Sequence, residues 1–229
     1  MSSPRFSGES LRFLRALRRN NRREWFGAHR DDYEAHIRQP MTAIIVQLAD
    51  DLRAFAPEIV ASPKTSMYRI YRDVRFSGNK APYKTHVAAS FPTRGLPKHE
   101  GAGLYFHLSP DELLIGGGMY APSTPQLHAV REHVATNFSR LRTLVASPAF
   151  RRDVGVLDGK RLLRVPRGFP KDHPAAEYLT LKQFLAGREL SPTFATRPAF
   201  YGTLLTVFRR LAPVIRFLNA PLTRTEPFG

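Results

Sequence analysis

The spacing of apolar positions changes character twice along the chain. From Ser7 onward Leu11, Leu14 and Leu17, with Phe13 beside them, fall at three- and four-residue intervals, which predicts an amphipathic helix. Ser7 is its cap and Asn20-Asn21 its stop. A second stripe runs through Phe26, Tyr33, Ile37, Met41, Ile44, Leu48, Leu52 and Phe55. Pro40 lies inside it and predicts a kink or a fresh helix start, because proline has no N–H to give to the ladder. Pro57 ends the stretch, and Trp25-Phe26 read as core at its beginning.

The period then shortens to two. Met67 to Arg72, Val87 to Phe91, and Leu104, Phe106 and Leu108 alternating with Tyr105 and His107 predict three strands. Pro110-Asp111-Glu112 turns the chain into Leu113-Leu114-Ile115, a hairpin partner, and Gly116-Gly117-Gly118 should break or bulge that strand before Met119. Helix returns with Thr124 as cap and Pro125 at the first helical position, carrying Leu127, Val130, Val134, Phe138, Leu141 and Val145. Asp158-Gly159 marks a turn between short extended pieces, and Pro166 to Pro174 reads as a loop. A last helix after Pro198 holds Phe200, Leu204, Phe208, Leu211, Ile215 and Leu218, with a frayed tail from Asn219.

Helices, clustered antiparallel strands, then helices again is an α+β order, not alternating βαβ. A single domain over residues 1–229 is expected, with a helical part at about 6–57, a strand-rich centre at about 64–120 and a mixed helical part at about 124–218.

Charge changes this picture in one place above all. Between Arg69 and Lys84, five cations (Arg69, Arg72, Arg75, Lys80 and Lys84) face one acid, Asp73, among Ser77, Gly78, Asn79 and Pro82. Fixed positive charge on turn-forming residues suits an anion-binding loop, and an arginine fork can grip a phosphate or carboxylate with two bonds. The same residues would equally serve as salt bridges pinning a strand to the next loop. The loop lacks the GxxxxGK[ST] spacing of a P-loop.

Over the whole chain 35 Lys and Arg stand against 19 Asp and Glu, a formal net charge of +16, which favours anionic partners. Arg far outnumbers Lys, and a GC-rich genome raises Arg without any binding role. The chain has no cysteine, which removes disulfides, thiolate metal sites and a cysteine nucleophile. Its histidines form no HExxH or tight cluster with carboxylates, so no metal site is expected, and the cofactor is left open. His107 on a strand and His173 in the proline-rich loop are the candidate proton carriers. Nothing from Met1 to Arg23 reads as a signal peptide and no run is long enough for a membrane span, so a soluble cytoplasmic protein is expected.

Several runs also resemble a known family. Asn20 to Phe26, Arg72-Asp73-Val74-Arg75-Phe76-Ser77 with Lys80 and Pro82-Tyr83-Lys84-Thr85, Gly117 to Pro122, Arg131, and Pro166-Arg167-Gly168-Phe169 with His173-Pro174 occur in the order of its motifs. The family is a widespread bacterial and fungal one of unknown function, with the hallmark RDxRFSxxKxPYK. The likeness covers roughly Phe6 to Leu218. Gly78 replaces a more usual Lys, and Arg167 keeps the charge of one. The resemblance implies no activity, but its polar and charged motifs suit a shared ligand site.

The combined reading is a basic cleft for a phosphorylated or other anionic small ligand, with catalysis left open. Arg69, Arg72, Asp73, Arg75, Ser77, Lys80, Tyr83, Lys84, Gly117, Gly118, Tyr120, Arg131 and Arg167 are its expected binding residues. A non-catalytic nucleic-acid-binding protein and a structural or partner-binding protein are the alternatives, and the oligomeric state is not legible.

Overall fold

The structure is a computed structural model that describes residues 3–75, 78–96 and 100–223. Helix α1 (Gly8–Arg19) starts at Ser7 through a reciprocal cap with Ser10 and ends where the Asn20 N–H returns to the Ala16 carbonyl. Its face of Leu11, Phe13, Leu14 and Leu17 is buried, as the spacing requires. Helices α2 (Arg23–Ala28) and α3 (Arg30–Tyr33) lead into one π turn (Glu34–Arg38) and then α4 (Gln39–Arg53). Pro40 sits in the first turn of α4, where its missing N–H costs least, and the wide π turn just before it makes the transition. Of the two expectations for Pro40, the fresh start is the one realised.

After α5 (Pro63–Ser66) come β1 (Val87–Pro92), β2 (Gly103–Leu108) and β3 (Leu113–Met119). Then follow α6 (Thr124–Thr136), α7 (Phe138–Ala146), α8 (Pro148–Asp153) and α9 (Ala176–Leu179). Strand β4 (Phe184–Leu190), a 3-10 turn (Pro192–Thr196) and α10 (Phe200–Asn219) complete the order. The four strands form one antiparallel sheet in the order β1-β2-β3-β4, and the fold is α+β.

The strand alternation separates two faces. Phe91, Leu104, Phe106, Ile115, Met119 and Phe184 are buried on one of them, against the apolar stripe of α10. Phe91 meets Phe208 edge-on at 5.7 Å and Phe106 meets Phe200 at 6.4 Å. Each buried ring contributes about 1.5–3 kcal/mol by leaving water. The opposite face carries Ala88, Ser90, Gly103, Tyr105, His107, Leu114, Gly116, Gly118, Leu185 and Gly187, in register across the strands.

Five expectations need correction, and one strand was not expected. Met67 to Arg72 is no regular strand: it runs antiparallel beside residues 82–89 through spaced bonds such as Lys84 N–H to Ile70 O (2.8 Å) and Arg72 N–H to Pro82 O (2.9 Å). The glycine triplet does not interrupt β3, which pairs continuously through it. Ser123, not Thr124, caps α6, because its hydroxyl and the Gln126 side chain bond reciprocally. The stripe from Leu127 to Val145 is split at Asn137, whose side chain folds back onto His133. Strand β4 was not foreseen, since Phe-Leu-Ala-Gly-Arg-Glu-Leu alternates weakly. Asn219 is not frayed but buried, binding Ala102 and Thr93.

Candidate functional site

The open face of the sheet forms the floor of a cleft of about 760 Å³. That volume lies within the usual range for small-molecule sites. Part of its floor is bare peptide: Gly116 and Gly187 share one cross-strand row with Tyr105, and Gly103 and Gly118 share the next with Leu185. Gly118 has φ +126°, and a Cβ there would collide with the Phe184 carbonyl oxygen, so the position admits glycine alone. Leu114 adds an apolar side chain to the floor, Tyr68 and Asp158 also line the cleft, and Tyr120 and Val156 stand 70% exposed at its rim.

A second, smaller recess of about 380 Å³ adjoins it, lined by Arg18, Asn21, Arg72, Asn79, Ala81, Tyr83, Lys84, Thr85 and His86. Lys84 and His86 line both cavities, so the two meet there. Asn21 builds the recess: its Nδ2 donates to the Tyr83 carbonyl and its Oδ1 accepts from the Tyr83 N–H, both at 3.0 Å. The Tyr83 ring is buried, stacked on Phe26 at 4.1 Å. The Lys84 ammonium donates to the Arg69 carbonyl at 3.0 Å and lies 5.2 Å from the centre of the Tyr68 ring.

Within the larger cleft a polar chain runs along β2 to the β2–β3 turn. The Tyr105 hydroxyl lies 3.1 Å from Nδ1 of His107, and Nε2 of His107 lies 2.9 Å from Oε1 of Glu112. Glu112 is fixed by the β2–β3 turn, where its N–H donates to the Ser109 hydroxyl at 3.0 Å and its carbonyl accepts from the Ser109 N–H at 2.9 Å. Burial pushes the Tyr105 phenol up to about 12, with Tyr68 and Glu112 adding to it. Burial, then the neighbouring His107 and Lys84, holds His86 down at about 4, so it is neutral at pH 7. The Ser90 hydroxyl, on the residue paired in register with Tyr105, is buried without a hydrogen-bond partner among the described residues.

Arg72, Tyr83, Lys84, His107, Gly117, Gly118 and Tyr120 are therefore brought together, although Gly117 turns its open side toward Ile215 of α10. Other expected residues line neither cavity. Asp73 and Arg75 form an exposed two-bond pair with each other (3.0 and 2.7 Å), which lowers the Asp73 carboxyl below its ordinary range. Lys80 reaches back to the Val74 carbonyl (3.1 Å), and the exposed Arg69 accepts from Lys84 through its carbonyl while its charge helps to lower the Asp73 carboxyl. Arg131 is buried and donates to the Leu181 carbonyl at 2.8 Å, which ties α6 to the chain before β4. His173 accepts from the Ala175 N–H at 3.0 Å at the entry to α9, and Arg167 is exposed in the loop before it. Ser77 lies outside the described residues.

Sequence reading missed Tyr68, His86, Ser90, Tyr105 and Glu112. The signal was present for Tyr105 and Glu112: residues two apart on a strand share a face, and the hairpin register brings Glu112 diagonally opposite His107. For His86 no sequence signal existed, because its place follows from the irregular pairing of residues 68–72 with 82–88.

The fold and site together define an α+β protein with a ligand-sized cleft on the uncovered face of its sheet and cations at one end. The chain belongs to the family described as "Conserved hypothetical protein (DUF2461)", which matches residues 9–217 and so contains every residue lining both cavities. No curated protein matches the chain. Among the described residues no helix is long and apolar enough to cross a membrane.

Proposed function

We propose that this is a cytoplasmic protein that binds an anionic small molecule across the two joined cavities. The anionic group, a phosphate or carboxylate, lies in the recess among Arg18, Arg72 and Lys84. The body of the molecule lies flat on the glycine floor between Tyr68, Tyr105 and Tyr120. The observation that carries this reading is the position of Lys84, which lines both cavities and places a cation at the end of an otherwise largely apolar cleft. Bare peptide on the floor lets a flat group approach the backbone closely.

Isothermal titration tests it with inorganic phosphate, adenosine monophosphate and benzoate as probes. Adenosine monophosphate, with both a phosphate and a flat body, should bind tighter than phosphate alone, and Lys84→Met should weaken it by roughly tenfold, the loss of one charge-assisted contact. Absence of binding by all three, or binding indifferent to Lys84→Met, would contradict the reading.

The +16 net charge supports a second reading, nucleic-acid binding. It predicts a log–log salt slope of several units, near −0.9 per phosphate neutralised on duplex DNA, where a single small anion gives a shallow one. The basic residues are scattered along the chain, which favours the small ligand.

A further inference from the structure

We infer that Tyr105 is a catalytic base of the larger cleft, driven by His107 and oriented through Glu112. The inference deepens the ligand-site reading above and rests on it for the identity of what is bound, but its geometry is independent of the basic recess. It also extends the expectation that His107 carries protons, because the group that meets the ligand is the tyrosine.

The direction of the chain follows from hydrogen-bond chemistry. An ionised Glu112 carboxylate only accepts, so at 2.9 Å it selects the His107 tautomer with the proton on Nε2. Nδ1 is then bare and, at 3.1 Å, accepts the Tyr105 O–H. With its proton directed into the protein, the phenolic oxygen presents lone pairs to the cleft. The arrangement has the logic of a nucleophile–histidine–carboxylate triad with a tyrosine in the first place. Glu112 is a positioning residue: the Ser109–Glu112 turn fixes its backbone, and it fixes the ring.

The proton movements balance. A ligand O–H or N–H set against the Tyr105 oxygen gives its proton to that oxygen while the phenolic proton passes to Nδ1 of His107. The ligand bond and the old phenolic bond break, and a new O–H and a new N–H form. The ligand atom gains the negative charge and the imidazolium beside Glu112 the positive. Tyrosine ends neutral, so its burial, which opposes a free phenolate, does not oppose the transfer. His86, ring to ring 5.6 Å from His107, is held neutral and leaves His107 as the ring that takes up charge. The class of substrate is thus an anionic small molecule carrying a weakly acidic O–H or N–H about one body-length from its anionic group.

The relay can be read without knowing that molecule. Benzenesulfonyl fluoride reacts with an activated phenol: the oxygen attacks sulfur, the S–F bond breaks, fluoride leaves, and the phenolic proton goes to Nδ1. Peptide mapping by mass spectrometry should find Tyr105 labelled faster than the exposed Tyr71 and Tyr120, and at least roughly tenfold slower in His107→Gln and Glu112→Gln, the low end of a general-base contribution. Arg142→Met, at an exposed residue that lines neither cavity, should leave this rate unchanged, and the labelling needs no anionic ligand, so loss of anion binding and loss of the relay are told apart. In the unaltered protein, long-range ¹H–¹⁵N spectra should show His107 protonated on Nε2 and bare on Nδ1. Tyr105 labelling no faster than Tyr120, a rate indifferent to His107→Gln, or the opposite tautomer would each overturn the proposal.

Discussion

The Asn21 carboxamide pairs with the backbone N–H and carbonyl of Tyr83, both at 3.0 Å, so a side chain from the α1–α2 turn stands in for a neighbouring strand. It holds the segment that carries Lys84 and His86 into both cavities. Asn21→Ala should leave two half-buried backbone groups unpaired and lower stability by about 1–3 kcal/mol in urea denaturation. Asn21→Asp, which keeps only the acceptor, should fall between the two. A stability loss below about 0.5 kcal/mol for Asn21→Ala would mean water replaces the side chain freely.

Asn219 closes the other end of the molecule. Its Oδ1 accepts from the Ala102 N–H (2.8 Å) and its Nδ2 donates to the Ala102 carbonyl (2.9 Å) and to Thr93 Oγ1 (2.8 Å), all buried. Asn219→Leu keeps the approximate volume and strands these groups in an apolar setting. It should cost about 2–3 kcal/mol, since each unpaired buried group costs about 1–3 kcal/mol. The check is the denaturation midpoint at unchanged slope.

These two asparagines show where sequence reading reached its limit. The helical stripes, strands β1 to β3 and the α+β order follow from periodicities of 3.6 and 2, which apolar burial enforces locally. Asn21 and Asn219 act on partners 62 and 117 residues away. No local pattern encodes such a bond. The basic loop was legible as charge, yet Asp73 and Arg75 satisfy each other within two residues, and of its cations among the described residues only Arg72 and Lys84 line a cavity, beside Asn79, Ala81 and Tyr83. The glycine triplet was legible as special but not as a floor, because the close approach of Gly116 to Gly187 depends on β4, the strand whose weak alternation hid it.

Acid should reveal His86. Its folded value of about 4 lies below the ordinary 6.5, mainly through burial, with His107 and Lys84 adding to the depression and Glu112 opposing it. The unfolded chain therefore takes up the proton first as pH falls. Stability from this group is complete above about 6.5 and is lost progressively toward about 4. Melting temperature should drop over that window, and less so in His86→Gln, which cannot titrate. Equal drops in both proteins would place His86 in water when folded.

The joined site is tested most directly by titrating ¹⁵N-labelled protein with adenosine monophosphate and following the amide resonances. One ligand spanning both cavities should shift the amides of Arg72, Lys84 and His86 together with those of Gly116, Gly118 and Gly187, along one binding curve. Inorganic phosphate should move the first group alone. Shifts confined to the exposed Asp73–Arg75 turn, or spread evenly over basic residues far from the sheet, would contradict a single ligand site on the open face.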